Sequence, residues 1–135
     1  MKAIFILALV IATFAACTKD DNSGSSSLYN KYAGKWELAQ TSGFVIKLYP
    51  PGNANYIVLQ SDGGFSRLQH DTLLFSSTYN LQEKYDTCSQ QNLVLFNSSD
   101  SALQSLFIDI QAGQLVFNQS NCIPNARGYT YRRIN

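Results

Sequence analysis

The chain has 135 residues, and its ten basic and nine acidic side chains give a formal net charge of +1. A charge this close to zero argues against nucleic acid as the partner, because phosphate backbones are bound by surfaces rich in Lys and Arg. The length suits one modest domain.

The N-terminus has the pattern of an export signal. Lys2 is followed by residues 3–16, which are uncharged, mostly apolar and end in small side chains. As a helix this run would span about 21 Å, short of the hydrocarbon core of about 30 Å. We therefore predict that residues 1–16 are a signal peptide.

Cys17 follows the predicted signal directly. Residues 14–17 (FAAC) resemble the bacterial lipobox, although Phe14 stands where an aliphatic residue is usual. The resemblance implies that Cys17 carries a diacylglyceryl and an N-acyl group, and stable anchoring needs more than one such chain. The alternative is a secreted protein with a spare thiol.

Residues 17–28 are rich in Ser, Asn and charged side chains. Such a segment buries little apolar area, and we predict a flexible tether here, followed by one domain over residues 29–135. Within it, residues 19–21 (KDD) resemble the export signal of Bacteroidota-type lipoproteins. The resemblance implies a lipid-anchored protein on the outer membrane, facing the exterior. The alternative is that residues 19–21 are simply part of a solvated linker, in which case the protein could face the periplasm.

The domain is predicted to be all-β, because short alternating runs recur between turn residues and no helical spacing is sustained. The predicted strands are 35–41, 56–60, 65–69, 73–82, 93–97, 103–110, 115–118 and 128–134. Residues 61–64 and 111–114 form hairpin turns with glycine. Eight short strands suit an antiparallel up-and-down barrel, since closure removes unpaired edges. A two-sheet sandwich is the alternative.

Two stretches resemble the small lipocalin-like domains of bacterial lipoproteins. Residues 32–38 (YAGKWEL) carry the Gly-x-Trp of the first lipocalin strand, and residues 129–134 (YTYRRI) resemble the last strand. The resemblance implies that an arginine of the last strand lies over Trp36 and closes one barrel end. Alternation favours Arg133 over Arg132 for this role, in which guanidinium and indole attract each other.

Cys88 and Cys122 remain once Cys17 is set aside, and disulfides persist in exported proteins. A metal site would need more ligands than these and the single His70. We predict a Cys88–Cys122 bond that crosses one end of the barrel and holds down a lid over its mouth.

The sequence contains few motifs that are typical of an enzyme. The chain has no Gly-x-Ser-x-Gly motif, and a glycosidase pair would have to combine Glu37 or Glu83 with scattered aspartates. His70 is predicted to be a turn residue, with metal or haem ligation as the alternative, and a hydrolase would need His70 beside a serine and a carboxylate. We predict no enzymatic activity and no cofactor.

Alternation turns Arg67 into the barrel, where its charge would need a partner unless it lies solvated at the rim. In the functional interpretation, Arg67, Gln69 and Tyr79 orient a polar group of a ligand beside Phe75. The aromatic side chains otherwise fill the core. Thr72 and Ser101 also lie in patterns that resemble bacterial O-glycan sites, and their modification is left open.

Two functions follow from these patterns. The first is an anchored, monomeric module that binds a small apolar or amphipathic molecule. The second is a protein-interaction or accessory subunit with a solid core and no ligand. An enclosed cavity of about 300 Å³ or more favours the first; a packed interior, or an exposed aromatic patch on the loops, favours the second.

Overall fold

The computed structural model describes residues 23–135, so the predicted signal peptide and Cys17 lie outside the described residues. One helix precedes nine strands: α1 (Ser23–Tyr32), β1 (Gly34–Ser42), β2 (Lys47–Leu48), β3 (Asn55–Leu59), β4 (Gly64–Gln69), β5 (Thr72–Asp86), β6 (Gln91–Ser98), β7 (Leu106–Gln111), β8 (Gln114–Asn118) and β9 (Gly128–Ile134). Over residues 23–135, no helix has the length and apolar character to span a membrane.

Eight of the strands close into an antiparallel barrel. Strands β3 to β9 pair in chain order, and β1 pairs with β3 on one side and with β9 on the other. The two-residue strand β2 pairs with the C-terminal half of β1, where Gln40 lies opposite Leu48. The predicted all-β, eight-stranded up-and-down barrel is therefore confirmed. The sandwich alternative is wrong, because one continuous sheet returns to its first strand.

Aromatic rings fill the middle of the barrel. Phe96 lies 5.8 Å from Phe65 and 5.1 Å from Phe117, measured between ring centroids, and Phe117 lies 5.9 Å from Tyr131. Trp36 is buried with them. Edge-on and tilted contacts of this kind add to the free energy gained from burying the rings. The middle of the interior is thus packed with side chains.

Helix α1 covers one end of the barrel, called here the closed end. Leu28, Tyr29 and Tyr32 pack on the core, and the carbonyl of Tyr32 accepts a hydrogen bond of 2.9 Å from Trp36 Nε1. The structure differs from the tether predicted over residues 17–28 from Ser23 onward, where the backbone is helical. Packing of the last helical turn on the barrel stabilises a helix that its Ser-rich sequence alone does not predict.

Most strand boundaries agree with the predictions to within two residues, and two differ more. Strand β5 extends to Asp86 rather than residue 82, and β7 starts at Leu106 rather than residue 103. The second difference arises because Asp100 forms a turn: its side chain accepts a hydrogen bond from the Ala102 amide, and its carbonyl accepts one from Gln104. Side chains of Asp favour such local turns.

His70 and Asp71 make the two-residue turn between β4 and β5, with φ of 50° and 61°. Positive φ at both central residues is the geometry that hairpin turns favour, because it matches the twist of the flanking strands. The prediction of His70 as a turn residue is confirmed.

The disulfide between Cys88 and Cys122 is confirmed, with the two Cα atoms 5.5 Å apart. Its predicted role as a lid over the barrel mouth is wrong. Strand β6 pairs with β7 only from Val94 onward, so the tip of the β5–β6 hairpin leaves the barrel wall. The tip and the β8–β9 loop enclose cavities against outer-wall side chains such as Phe107 and Val116. The bond therefore fastens the hairpin tip to the outside of the barrel.

Candidate functional site at the open end

A cavity of about 340 Å³ lies at the end of the barrel opposite helix α1, called here the open end. It forms where β1 parts from β3: the two strands pair only as far as Glu37, and β1 then pairs with β2. The side chains that line it from the barrel strands include Leu38, Ile57, Arg67, Gln69, Tyr129 and Tyr131.

Arg67 and Asp100 form an ion pair beside this cavity. Arg67 Nε lies 3.1 Å from Asp100 Oδ2, and the Asp100 side chain is 1% exposed. The two atoms are buried, and within residues 23–135 neither has a hydrogen-bond partner of good geometry. The pair neutralises the inward charge that the sequence predicted for Arg67. Arg67 is therefore paired, although about one-third of its side chain remains in contact with solvent at the open end.

Two tyrosines of β9 complete the wall. Tyr131 is buried, and burial raises the pKa of its hydroxyl; the nearby Arg67 opposes that shift. Tyr129 is half-buried and packs on the core. The Tyr131 phenol is therefore neutral at physiological pH, and the two tyrosines give the wall hydroxyl groups and apolar rings.

Strand β2 and the loop that follows it form the outer rim. Lys47 and Tyr49 line the cavity, and Lys47 Nζ lies 5.0 Å from the centre of the Tyr49 ring. The Tyr49 carbonyl accepts a hydrogen bond from Arg132, whose Nε lies 3.4 Å from the buried Glu37 carboxylate. These contacts hold the loop against the strands β1 and β9.

The structure brings together only part of the predicted ligand set. Arg67 and Gln69 line the cavity, and Phe75 lies behind them with its ring 6.0 Å from Phe65. Tyr79 does not join them, because its hydroxyl donates to the Gln60 carbonyl at 2.8 Å near the closed end. Residues four apart on a strand are separated by about 13 Å, so Phe75 and Tyr79 cannot serve one small site.

Several residues of the site were not predicted from the sequence. Asp100 does not line the cavity but supports Arg67 from a loop, and no local pattern shows that this loop turns back toward Arg67. Leu38 and Tyr131 lie opposite each other on β1 and β9, and the same alternation that turned Arg67 inward would have found them once the barrel was closed.

At the closed end, Arg133 lies over Trp36, with the guanidinium carbon 5.2 Å from the ring centre. Arg133 also donates to the Ala33 carbonyl at 3.2 Å. Gly34 permits this contact, since its φ is +149° and an added Cβ would lie 3.3 Å from the Arg133 guanidinium. The contact predicted from the Gly-x-Trp motif is therefore present.

Comparison with protein-family models, curated proteins and solved structures gives no match. The site is therefore interpreted from its own geometry. Among residues 23–135, no three His, Cys, Asp or Glu side chains are grouped to hold a metal ion. The chemistry that the open end does offer is an apolar wall, two phenols and one charge pair.

Proposed function

We propose that this protein is a lipid-anchored, lipocalin-like binding module of the outer membrane, facing the exterior, which takes a small amphipathic molecule into the open-end cavity. One observation carries the proposal: the cavity joins an apolar wall to Arg67, whose charge Asp100 balances from behind, at the barrel end that α1 does not cover. Convergent polar groups in an apolar cavity are typical of small-molecule sites.

The chemistry of the wall favours an amphipathic ligand. Leu38 and Ile57 offer apolar surface, whereas Gln69 and the Arg67–Asp100 pair offer donors and acceptors. Arg67 lines the cavity and keeps about one-third of its side chain exposed, so its guanidinium can donate to a polar group of a ligand while Asp100 balances its charge from behind. A volume of about 340 Å³ is at the lower end of the usual range, so the ligand is small.

The anchor is supported by the sequence alone. Residues 14–17 resemble a lipobox and follow an apolar run too short to span a bilayer. We expect Cys17→Ser to abolish lipid attachment, because no other side chain at that position can form the thioether. Membrane fractionation tests this: a Cys17→Ser protein that still fractionates with the outer membrane like wild type would show that Cys17 is not the anchor.

Two matched tryptophan variants test the ligand site. Leu38→Trp places a bulky ring in the cavity, and Val116→Trp places the same ring on the outer wall. We expect the amphipathic dye anilinonaphthalene sulfonate to bind the wild type saturably. Leu38→Trp should weaken that binding at least about tenfold, equivalent to about 1.4 kcal/mol, and Val116→Trp should leave it unchanged.

The alternative of an accessory subunit with no ligand is favoured by the packed aromatic middle of the barrel. The same titration separates the two functions. Saturable binding that Leu38→Trp weakens supports the ligand site. Absence of saturable binding, or equal loss in both variants, supports the accessory subunit.

A further inference from the structure

The loop between β1 and β2 carries three consecutive apolar side chains in the open. Phe44 is 91% exposed, Val45 77% and Ile46 66%, and we call these three residues the apolar tip. Leu73 and Leu74, at the start of β5, are exposed as well, and Leu74 lines the same cavity as Lys47. Exposed apolar clusters of this kind mark surfaces that contact another apolar phase.

The exposures also describe the shape of the tip. Side chains that keep about two-thirds or more of their surface in solvent have few neighbours, so the tip offers convex apolar surface rather than a groove. A protein partner would need a matching pocket to bury it with the close packing of an interface core. A lipid bilayer needs none, because its acyl chains rearrange around an inserted side chain.

Two cations lie beside the tip, each against a tyrosine. Lys47 Nζ is 5.0 Å from the Tyr49 ring centre, and the Arg127 guanidinium carbon is 5.9 Å from that of Tyr129. Arg127 is next to Gly128, which pairs with Ser42 at the base of the tip. Tyrosine rings and basic side chains are enriched where proteins meet lipid headgroups.

One exposed carboxylate at this end offsets part of the positive charge. Asp100 is buried against Arg67, whereas Asp71 is exposed in the β4–β5 turn. Lys47 and Arg127 are both exposed, so two cations face solvent against one carboxylate, and the balance favours an anionic surface.

We propose that the open end docks on an anionic lipid bilayer, with the apolar tip inserted among the acyl chains and the Lys47–Tyr49 and Arg127–Tyr129 pairs at headgroup level. This surface lies at the barrel end opposite helix α1. The proposal does not depend on ligand binding in the cavity.

Photocrosslinking of the full chain tests the docking. The photoreactive residue p-benzoylphenylalanine replaces Phe44 in one protein and, as the matched control, Tyr85 in a second. Tyr85 is 56% exposed and lies at the end of the β5–β6 hairpin. Each protein is irradiated with vesicles of equal parts phosphatidylcholine and phosphatidylglycerol, and lipid adducts are quantified by mass spectrometry. Both positions carry exposed side chains of the same chain, so the ratio of their adducts compares the tip with another exposed surface.

We expect at least about tenfold more lipid adduct at position 44 than at position 85. Val45→Ser with Ile46→Ser should reduce the adduct at position 44 severalfold without lowering the melting temperature, because both side chains are exposed. Vesicles of phosphatidylcholine alone should also give less. Equal adducts at both positions, or crosslinks at position 44 to a protein or a second copy in place of lipid, would overturn the proposal. Equal yields on charged and uncharged vesicles would overturn its electrostatic part.

Discussion

Arg67 on β4 and Asp100 in the β6–β7 loop form an ion pair at the open end, with Nε 3.1 Å from Oδ2. The Asp100 side chain also accepts a hydrogen bond from the Ala102 amide, so one carboxylate both shapes its own loop and balances an inward charge. The β6–β7 loop thereby brings Leu103 into the core.

Removing the charge of Asp100 should destabilise the fold. We expect Asp100→Asn to lower the free energy of unfolding by about 1 to 2 kcal/mol, less than for a fully buried pair because Arg67 is one-third exposed. Urea unfolding measures this. Asp109→Asn is the matched control, since Asp109 pairs with Lys31 and both side chains are about half exposed; its effect should stay below about 0.5 kcal/mol. Equal effects of the two variants would contradict a structural role for the Arg67–Asp100 pair.

The contact of Arg133 with Trp36 should contribute to closing the barrel. Arg133→Ala removes a cation from the indole face and a hydrogen bond to Ala33, and should lower stability by about 1 to 3 kcal/mol. Trp36 is the only tryptophan, so its fluorescence spectrum reports the change directly. Gly34→Ala should have a similar effect, because the new Cβ approaches the guanidinium at a strained φ. An unchanged spectrum in Arg133→Ala would contradict the packing of these two residues.

Loss of the disulfide should loosen the outer wall more than the barrel mouth. Replacing Cys88 and Cys122 by serine opens a loop with a sequence separation of 34, and the chain-entropy relation gives a loss of about 4 kcal/mol. Hydrogen exchange should speed up most at residues 91–93 of the hairpin tip, which do not pair with β7. Dye binding in the open-end cavity should be retained. Faster exchange confined to the open end would contradict this account and would support a disulfide-held lid over the barrel mouth.

Asp86 should make stability depend on acid pH. Ser120 Oγ donates to its carboxylate at 2.7 Å, and this bond, with those from Ser89, lowers the pKa of Asp86. In the unfolded chain the same carboxyl has its ordinary pKa of about 4, which is higher than in the folded protein. The stabilisation is complete above that pH and is lost as pH falls through the lower folded-state pKa. The stability difference between wild type and Asp86→Asn, measured by urea unfolding, should shrink below about pH 4. Ser120→Ala should move the loss to higher pH, and a difference independent of pH would contradict this role.

The strands and the main turns could be predicted because their physical signals are local. Alternating side chains define each strand, and Gly63 and Gly113 adopt the positive φ that their hairpin turns require. The Trp36–Arg133 contact was implied only by the resemblance of the Gly-x-Trp stretch to the first lipocalin strand, and the structure shows that Gly34 leaves room for it.

The candidate site was harder to predict, because it depends on contacts between distant residues. Asp100 reaches Arg67 only after a side-chain-capped turn has reversed the loop. Tyr79 was assigned to the ligand set because its side chain points inward, but its height along the barrel depends on the strand register. Helix α1 has a Ser-rich sequence, and it gains its stability from packing on a barrel end that the sequence does not display.

The most direct test of the ligand site is amide chemical-shift mapping of the wild-type protein titrated with a small amphipathic probe such as dodecanoate. We expect saturable shifts centred on Leu38, Arg67 and Tyr131, with the outer-wall residues Phe107 and Val116 unaffected. Leu38→Trp should abolish those shifts at the same probe concentration. Absence of saturable shifts, or shifts centred on Phe107 and Val116, would contradict ligand binding in the open-end cavity.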